Sequence, residues 1–426
     1  METYGLDKFD HHIIEIHGDG GGIDYHSGDH AVWKCWLGYG LPFVEVVDKE
    51  GNILFVVDGE GFYNIQPFSH QLSDIDSFIT NLFGKQLDLY ESSDYSADGT
   101  VHTLRTASVG NGVDLVLMGD AYSDRLIADG TYASVMNKAM DAFFSEEPYK
   151  SFKDYFNVYY VDVVSENEVY NGNTALHSFY GEGTTVGGNN NKVSEYAGRA
   201  ISKDRLDDAL LIVMMNRDYY AGTCYMDFVA DGDYGRGKSY SYFPVSSNYD
   251  TLCGMLLHEA AGHGFAKLDD EYAYEGTVPG DYIDSRHKLE PYGWWKNVDF
   301  TSDPSAVKWS QFINDYRYAS ENIGVYEGAS TYAHGAWRPT ENSIMRYNEG
   351  GFNAPSRYAI WYRINKLAFG PEWNGTYEDF VEYDAVNRTP AANQRRIQRT
   401  LEAKKKNLPP LAPPVVLEDS WQSARH

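Results

Sequence analysis

The chain has 426 residues, with 35 Lys+Arg against 62 Asp+Glu and a formal net charge of −27. A surface this acidic repels phosphate, which argues against a nucleic-acid-binding protein and against docking on anionic membranes. With 42% hydrophobic residues the chain is not disordered as a whole, and its length suits two or three domains.

Residues 1–105 read as a β-rich, sandwich-like domain. Strands are expected at 31–37, 43–47 and 53–57, with Asp48-Lys-Glu-Gly-Asn52 as a hairpin turn between the last two. His11, His12, His17, His26 and His30 crowd the start of the chain. No helical or tight-turn spacing unites them, so they read as surface residues. The opening METYGLDKFDHH has no apolar h-region, so no signal peptide is expected here. No apolar run approaches the roughly 20 residues that span a bilayer.

From residue 106 the rhythm changes to α+β. Val113-Asp-Leu-Val-Leu-Met118 is a buried-strand pattern, a helix is expected over 132–144, and further strands over 156–164 and 209–215. This order implies a mixed sheet with crossover connections. A polar stretch that includes Gly187-Gly-Asn-Asn-Asn-Lys192 separates the last two strands. Later helices are expected at 249–268, 305–316 and 354–369. Residues 106–390 form a second domain in this reading, and 391–426 a basic, Pro-rich tail. There Arg395, Arg396, Arg399 and Lys404 to Lys406 precede Leu408-Pro-Pro-Leu-Ala-Pro-Pro414. Such a segment builds no regular core and reads as an extended strap or linker. The cysteines, Cys35, Cys224 and Cys253, allow at most one bridge and read as buried thiols. No CxxC pair offers a thiolate zinc site.

The informative segment is Leu256-Leu-His-Glu-Ala-Ala-Gly-His-Gly-Phe-Ala-Lys-Leu-Asp-Asp-Glu-Tyr272. It nearly matches HExxH, in which two His bind zinc and the Glu acts as general base. Here His258 and His263 are five apart. On an α-helix four residues offset two side chains by about 40°, and five by about 140°. A π-bulge absorbs the extra residue and brings the imidazoles back together. Ala260, Ala261 and Gly262 are small enough for that distortion. The expanded HExxxH motif also resembles that of dipeptidyl peptidase III-type metallopeptidases. Asp269, Asp270 and Glu271 follow, and one carboxylate supplies a third ligand, leaving the fourth position for water. Metzincin spacing points to Asp269, although the turn glycine of that pattern is Ala266 here. Ser343-Ile-Met-Arg-Tyr347 resembles the metzincin Met-turn, with Met345 beneath the ligands and Tyr347 reaching the metal region.

With these residues in place, the run over 113–388 resembles the M64, or IgA-peptidase, family of bacterial metallopeptidases. The matching stretches are Val113 to Asp124, Glu146 to Phe152, His258 to Tyr272, Ser343 to Ser356 and Tyr383 to Arg388. Most members carry plain HExxH, and an expanded form also occurs. The resemblance implies a secreted or surface-exposed bacterial zinc endopeptidase, with a metzincin-like catalytic domain and a β-rich N-terminal domain. Its Asp-Glu-Tyr run matches Asp270-Glu271-Tyr272, which ranks Asp270 above Asp269. The expected chemistry is Zn2+ on His258, His263 and Asp270, Glu259 as base, and Tyr347 on the oxyanion. Residues 209–215 and 219–223 are expected to rim a cleft to which an extended peptide adds as a strand. The expected partner is a protein or peptide substrate, neutral or basic rather than acidic. Two other classes compete. One is an inactive peptidase-like binding module. The other is a Ca2+-dependent adhesion protein built on Asp231-Gly-Asp233 and Asp269-Asp270. A structural Ca2+ is also compatible with the peptidase reading.

Overall fold

The computed structural model describes residues 90–170, 174–348 and 351–417, with the backbone of five strands between residues 23 and 62. The chain divides into two compact units, Met1–Leu89 and Tyr90–His426. In the first, β1 (Ile23–Ser27), β2 (Ala31–Gly38), β3 (Leu41–Val47), β4 (Ile53–Asp58) and β5 (Gly61–Phe62) pair in chain order, each antiparallel to the next. The 48–52 turn, the side chain of Cys35 and the side chains of the five N-terminal histidines lie outside the described residues.

The second unit is built on a seven-stranded mixed sheet. Its strands are β6 (Val101–Arg105), β7 (Val113–Asp120), β8 (Phe156–Val161), β11 (Leu210–Asp218), β12 (Thr223–Met226), β13 (Ser239–Val245) and β16 (Val415–Val416). The order across the sheet is β16-β12-β13-β11-β7-β8-β6. β8, β7, β11 and β13 are mutually parallel. β6 and β12 run antiparallel to their inner neighbours, and β16 is parallel to β12. Two short hairpins lie outside this sheet: β9 (Phe179–Tyr180) with β10 (Val186–Gly187), and β14 (Tyr326–Ala329) with β15 (Tyr332–Arg338).

The unbroken apolar runs of β7 and β11 follow from burial on both faces, the usual situation of a central parallel strand. Leu115, Leu117, Ile212 and Met214 enter one core, while Val116, Met118, Leu211 and Val213 enter the other. The first core also takes Tyr132, Met136, Ala139 and Phe143 from the helix Thr131–Phe143, a spacing that lines one helical face. It takes Ile360 and Ile364 from the helix Ala354–Phe369 as well.

Several elements differ from the sequence expectation. β6, read as the end of the first domain, pairs with β8 in the second unit. The polar stretch holds a helix, Asn190–Ala197, started by the Asn189 side chain accepting from the amides of Asn191 and Lys192. The expected 305–316 helix shrinks to Ser310–Ile313, because Asp315 caps a separate 3-10 turn, Tyr316–Glu321. The basic tail is a helix, Pro390–Lys406, with Thr389 as its cap and Pro390 in its first turn. No helix among the described residues is long and apolar enough to cross a membrane.

Candidate metal centre

The helix Tyr249–Leu256 is capped by the Asn248 side chain, which accepts from the Thr251 amide at 3.0 Å. It then widens into a π-helix, Leu257–Phe265, all nine residues of which are buried. In a π-helix each turn closes on the fifth residue, so side chains five apart stack on one face. Small residues let the widened coil sit tightly. A Cβ on Gly262 would lie 2.9 Å from Cε of Met345 and closer still to its Sδ. A Cβ on Gly264 would lie 2.9 Å from Ser239 Oγ on the sheet. The coil ends at Lys267, which adopts a left-handed φ of 53° and turns the chain back toward the imidazoles.

The result is a triangle. His258 Nε2 and His263 Nε2 stand 3.1 Å apart, and Oδ1 of Asp270 stands 3.1 Å from each. All three side chains are buried, at 1% exposure or less. Behind them, His258 Nδ1 meets the Ile344 carbonyl at 3.0 Å and His263 Nδ1 meets the Leu268 carbonyl at 2.7 Å. A carbonyl only accepts, so both Nδ1 atoms carry a proton and both Nε2 atoms face the centre, where each can offer a lone pair to a cation. Ligands held about 2.0–2.1 Å from a tetrahedral zinc stand roughly 3.3–3.4 Å from one another. The observed triangle is close to that size, and two lone pairs plus a carboxylate is a cation's donor set.

Glu259 places a carboxylate oxygen within 4.8 Å of the ligand nitrogens of both histidines. Asp270 Oδ1, at 3.1 Å from both Nε2 atoms, places a second acid beside the same pair of imidazoles. Glu259 is also boxed in by the chain ahead of β12, since a Cβ on Gly222 would fall 2.8 Å from its Cγ. Both oxygens of Glu259, and Oδ2 of Asp270, are buried without a protein hydrogen-bond partner. Burial raises the Glu259 carboxyl to about 8. Burial disfavours charge on all three triangle residues. It lowers His258. At the other two corners the mutual attraction wins: Asp270 is held down to about 2, chiefly by His263, and His263 is raised to about 9 by Asp270. A buried His-Glu-His group with this carboxylate beside it is compatible with a metal site.

The family model for IgA peptidase M64 matches residues 101–319, just over half of the chain. The protein belongs to the M64 peptidase family. No curated protein matches it. The sequence resemblance to this family is thereby shown, and the protein is a peptidase. The matched span contains the whole π-helix and the aspartates that follow it.

In this M64 peptidase the three acids after the π-helix have separate tasks. Asp269 points away from the triangle. It accepts from Arg286 Nη2 at 3.2 Å and from the hydroxyl of Ser330 at 2.6 Å, and its Oδ1 takes the Asp270 amide at 3.0 Å. Glu271 ties the Met345 turn to the site. Its carboxylate accepts from Ser343 Oγ at 2.6 Å, Asn297 Nδ2 at 2.9 Å and Asn353 Nδ2 at 3.0 Å. The same turn supplies the Ile344 carbonyl to His258, and Met345 is fully buried against the π-helix. Tyr347 is half-buried and lies under the Lys404 ammonium, which sits 5.6 Å from its ring centre. It lines a cavity of about 230 Å³ together with Tyr272, Asn348 and the 408–410 segment.

Sequence reasoning placed Gly222 only in a cleft rim, and missed Arg286, Asn297, Ser330 and Asn353, which hold the acids after the π-helix. Asn353 was open to discovery as the residue before the Ala354-Pro355 helix start, where its side chain accepts from the Ser356 amide. Asp231 and Asp233 do not converge on a shared centre. Asp231 accepts from Arg236 at 2.5 Å and Asp233 from the Tyr362 hydroxyl at 2.9 Å. Cys224 and Cys253 are free thiols. Burial pushes Cys224 up to about 12, so it offers no thiolate.

Proposed function

We propose that this M64 peptidase is a zinc endopeptidase with a metzincin-like catalytic domain, acting on extended segments of proteins outside a bacterial cell. The observation that carries the reading is the set of 3.1 Å separations among His258 Nε2, His263 Nε2 and Asp270 Oδ1. These three residues would hold the metal, and zinc bound there supplies a Lewis acid for the scissile carbonyl and acidifies water toward neutrality.

The chain's own residues then divide the work. Glu259 accepts the proton of the attacking water and returns it to the departing amine. Both oxygens of its buried carboxylate lack a protein hydrogen-bond partner, which leaves them available to the water. The Nδ1 bonds to Ile344 and Leu268 keep the imidazoles in the tautomer that binds. Met345 is structural. Tyr347, on the cavity it shares with Tyr272 and the 408–410 segment, is the proposed oxyanion donor. The net charge of −27 favours neutral or basic segments over acidic ones. A metal-binding module without turnover is the competing reading.

Metal analysis with an activity assay tests this. Purified protein should contain about one zinc per chain, lose peptide cleavage on chelation and regain it on zinc addition. Cleavage that survives complete removal of metal would refute the proposal.

A further inference from the structure

We infer that residues 408–417 sit in the substrate's place as a built-in strap, and that the pocket filled by Leu411 is where a substrate's apolar side chain binds. The inference rests on the peptidase reading of the His258–Glu259 site. β12 lies at one margin of the mixed sheet and packs against the π-helix. Such an edge takes an extended peptide by backbone pairing. Here the chain's own terminal segment occupies it, with Val415 opposite Tyr225 and Val416 opposite Met226, and the Leu417 amide donating to the Met226 carbonyl at 2.9 Å.

The hydrogen bonds nearer the metal ligands follow the strap step by step. The Tyr220 hydroxyl donates to the Pro409 carbonyl at 3.0 Å, and Thr184 Oγ1 to the Pro410 carbonyl at 3.0 Å. The peptide unit joining Leu411 and Ala412 is held at both ends. Its carbonyl accepts from the Tyr272 hydroxyl at 2.8 Å, and its N–H donates to the Gly222 carbonyl at 3.2 Å. Gly222 is the residue packed on Glu259, and Tyr272 is two residues past Asp270. One half of the clamp therefore comes from the segment packed on the base, and the other from the segment that carries the proposed third ligand.

Leu411 is fully buried and joins the apolar cluster that contains Leu257, Ala260 and Ala261 of the π-helix. The strap bears no charge from Leu408 to Leu417, and Pro410 and Pro413 flank its clamped unit. The substrate class this describes is an extended, uncharged segment with a leucine-sized side chain followed by a small residue. The strap's root is fixed. Arg399 pairs with Glu146, and Arg396 with Glu321 at 3.2 Å, from the helix Pro390–Lys406. That helix ends at Asn407 in a left-handed conformation, φ 47°, which is the natural pivot for release.

The experiment compares the full chain with Leu411→Asp, with Ala412→Pro and with a chain ending at Asn407, all zinc-loaded. A tethered segment acts at an effective concentration on the order of 1 mM, so a strap of about 0.1 mM affinity blocks the cleft roughly tenfold. The strap variants should therefore show about a tenfold rise in kcat/KM on a fluorogenic Leu-Ala peptide. In a Glu259→Gln background, they should also bind a labelled peptide of residues 408–417 that the unaltered strap excludes. Ala412→Pro deletes a single N–H and keeps the test alive where Leu411→Asp or truncation fails to fold. No rise in peptide binding in a folded variant overturns the strap. Binding that rises while no variant cleaves any peptide leaves the strap standing and refutes the peptidase chemistry instead.

Discussion

Neighbouring aspartates with opposite roles give the sharpest test of the centre. Asp270→Ala removes one corner of the triangle and the only negative charge in it. Losing a mere supporting partner of a ligand costs about 10–100-fold in metal affinity, so losing the ligand should weaken zinc binding by more than about 100-fold. Asp269→Ala acts elsewhere. Its carboxylate pairs with Arg286, a residue only 9% exposed whose guanidinium is stacked 4.1 Å from the Trp295 ring centre. Removing one partner of a buried pair costs about 3–5 kcal/mol, because the other charge stays buried. The Tyr282 hydroxyl remains beside Arg286, which puts the expected loss near the lower end. Asp269→Ala should thus lower stability by about 3 kcal/mol while still binding one zinc. Competition with a chromophoric chelator measures the first quantity, and urea unfolding of chelator-stripped protein the second. If Asp269→Ala loses zinc as deeply as Asp270→Ala, with unchanged metal-free unfolding, the assignment is wrong.

Glu259→Gln should keep its zinc and lose about 10²–10⁴ in kcat, measured under saturating peptide. The same substitution carries a pH signature in stripped protein. Burial raises the folded-state carboxyl from 4.5 to about 8, so the protonated form is favoured by folding. Its contribution is complete below the unfolded value and is lost as pH rises toward 8, and Gln should flatten that slope in urea titrations at pH 5 and 8. Gly262→Val should cost about 1–3 kcal/mol through its collision with Met345, and Met345→Ala in the same chain should recover part of it. A fully additive double mutant would contradict the contact. Glu271→Ala strips a partner from Ser343, Asn297 and Asn353. At about 1–3 kcal/mol for each stranded donor, unfolding should shift by at least about 3 kcal/mol, and zinc affinity should fall because the Ile344 carbonyl moves off His258.

Patterned segments of the fold were legible in the sequence. The 113–118 run and the 354–369 periodicity led to elements that form there, since continuous apolar runs and helical spacing report burial directly. The five-residue histidine spacing also pointed to a widened helix, because only that geometry turns both rings one way. Asparagine-rich Asn189 to Asn191 looked like loop, yet one cap was enough to start a helix. The choice between Asp269 and Asp270 depends on which carboxylate Arg286 captures, seventeen residues away along the chain. No local pattern reports such a contact. The turn at Lys267 is likewise silent, since it uses a non-glycine residue in a left-handed conformation. The proline-rich tail was read as an extended strap or linker, and Val415–Val416 just beyond it forms a strand. Its pairing with β12 rests on the two-residue strand Val415–Val416 and a few separate hydrogen bonds, too sparse to leave a strand signature.

The pairing of β16 with β12 also bears on solubility. A molecule whose terminal segment has swung away carries a bare ribbon of amides and carbonyls along Thr223–Met226. Unsatisfied strand margins stick to one another. Opened molecules should therefore self-associate as concentration rises, and closed ones should stay apart.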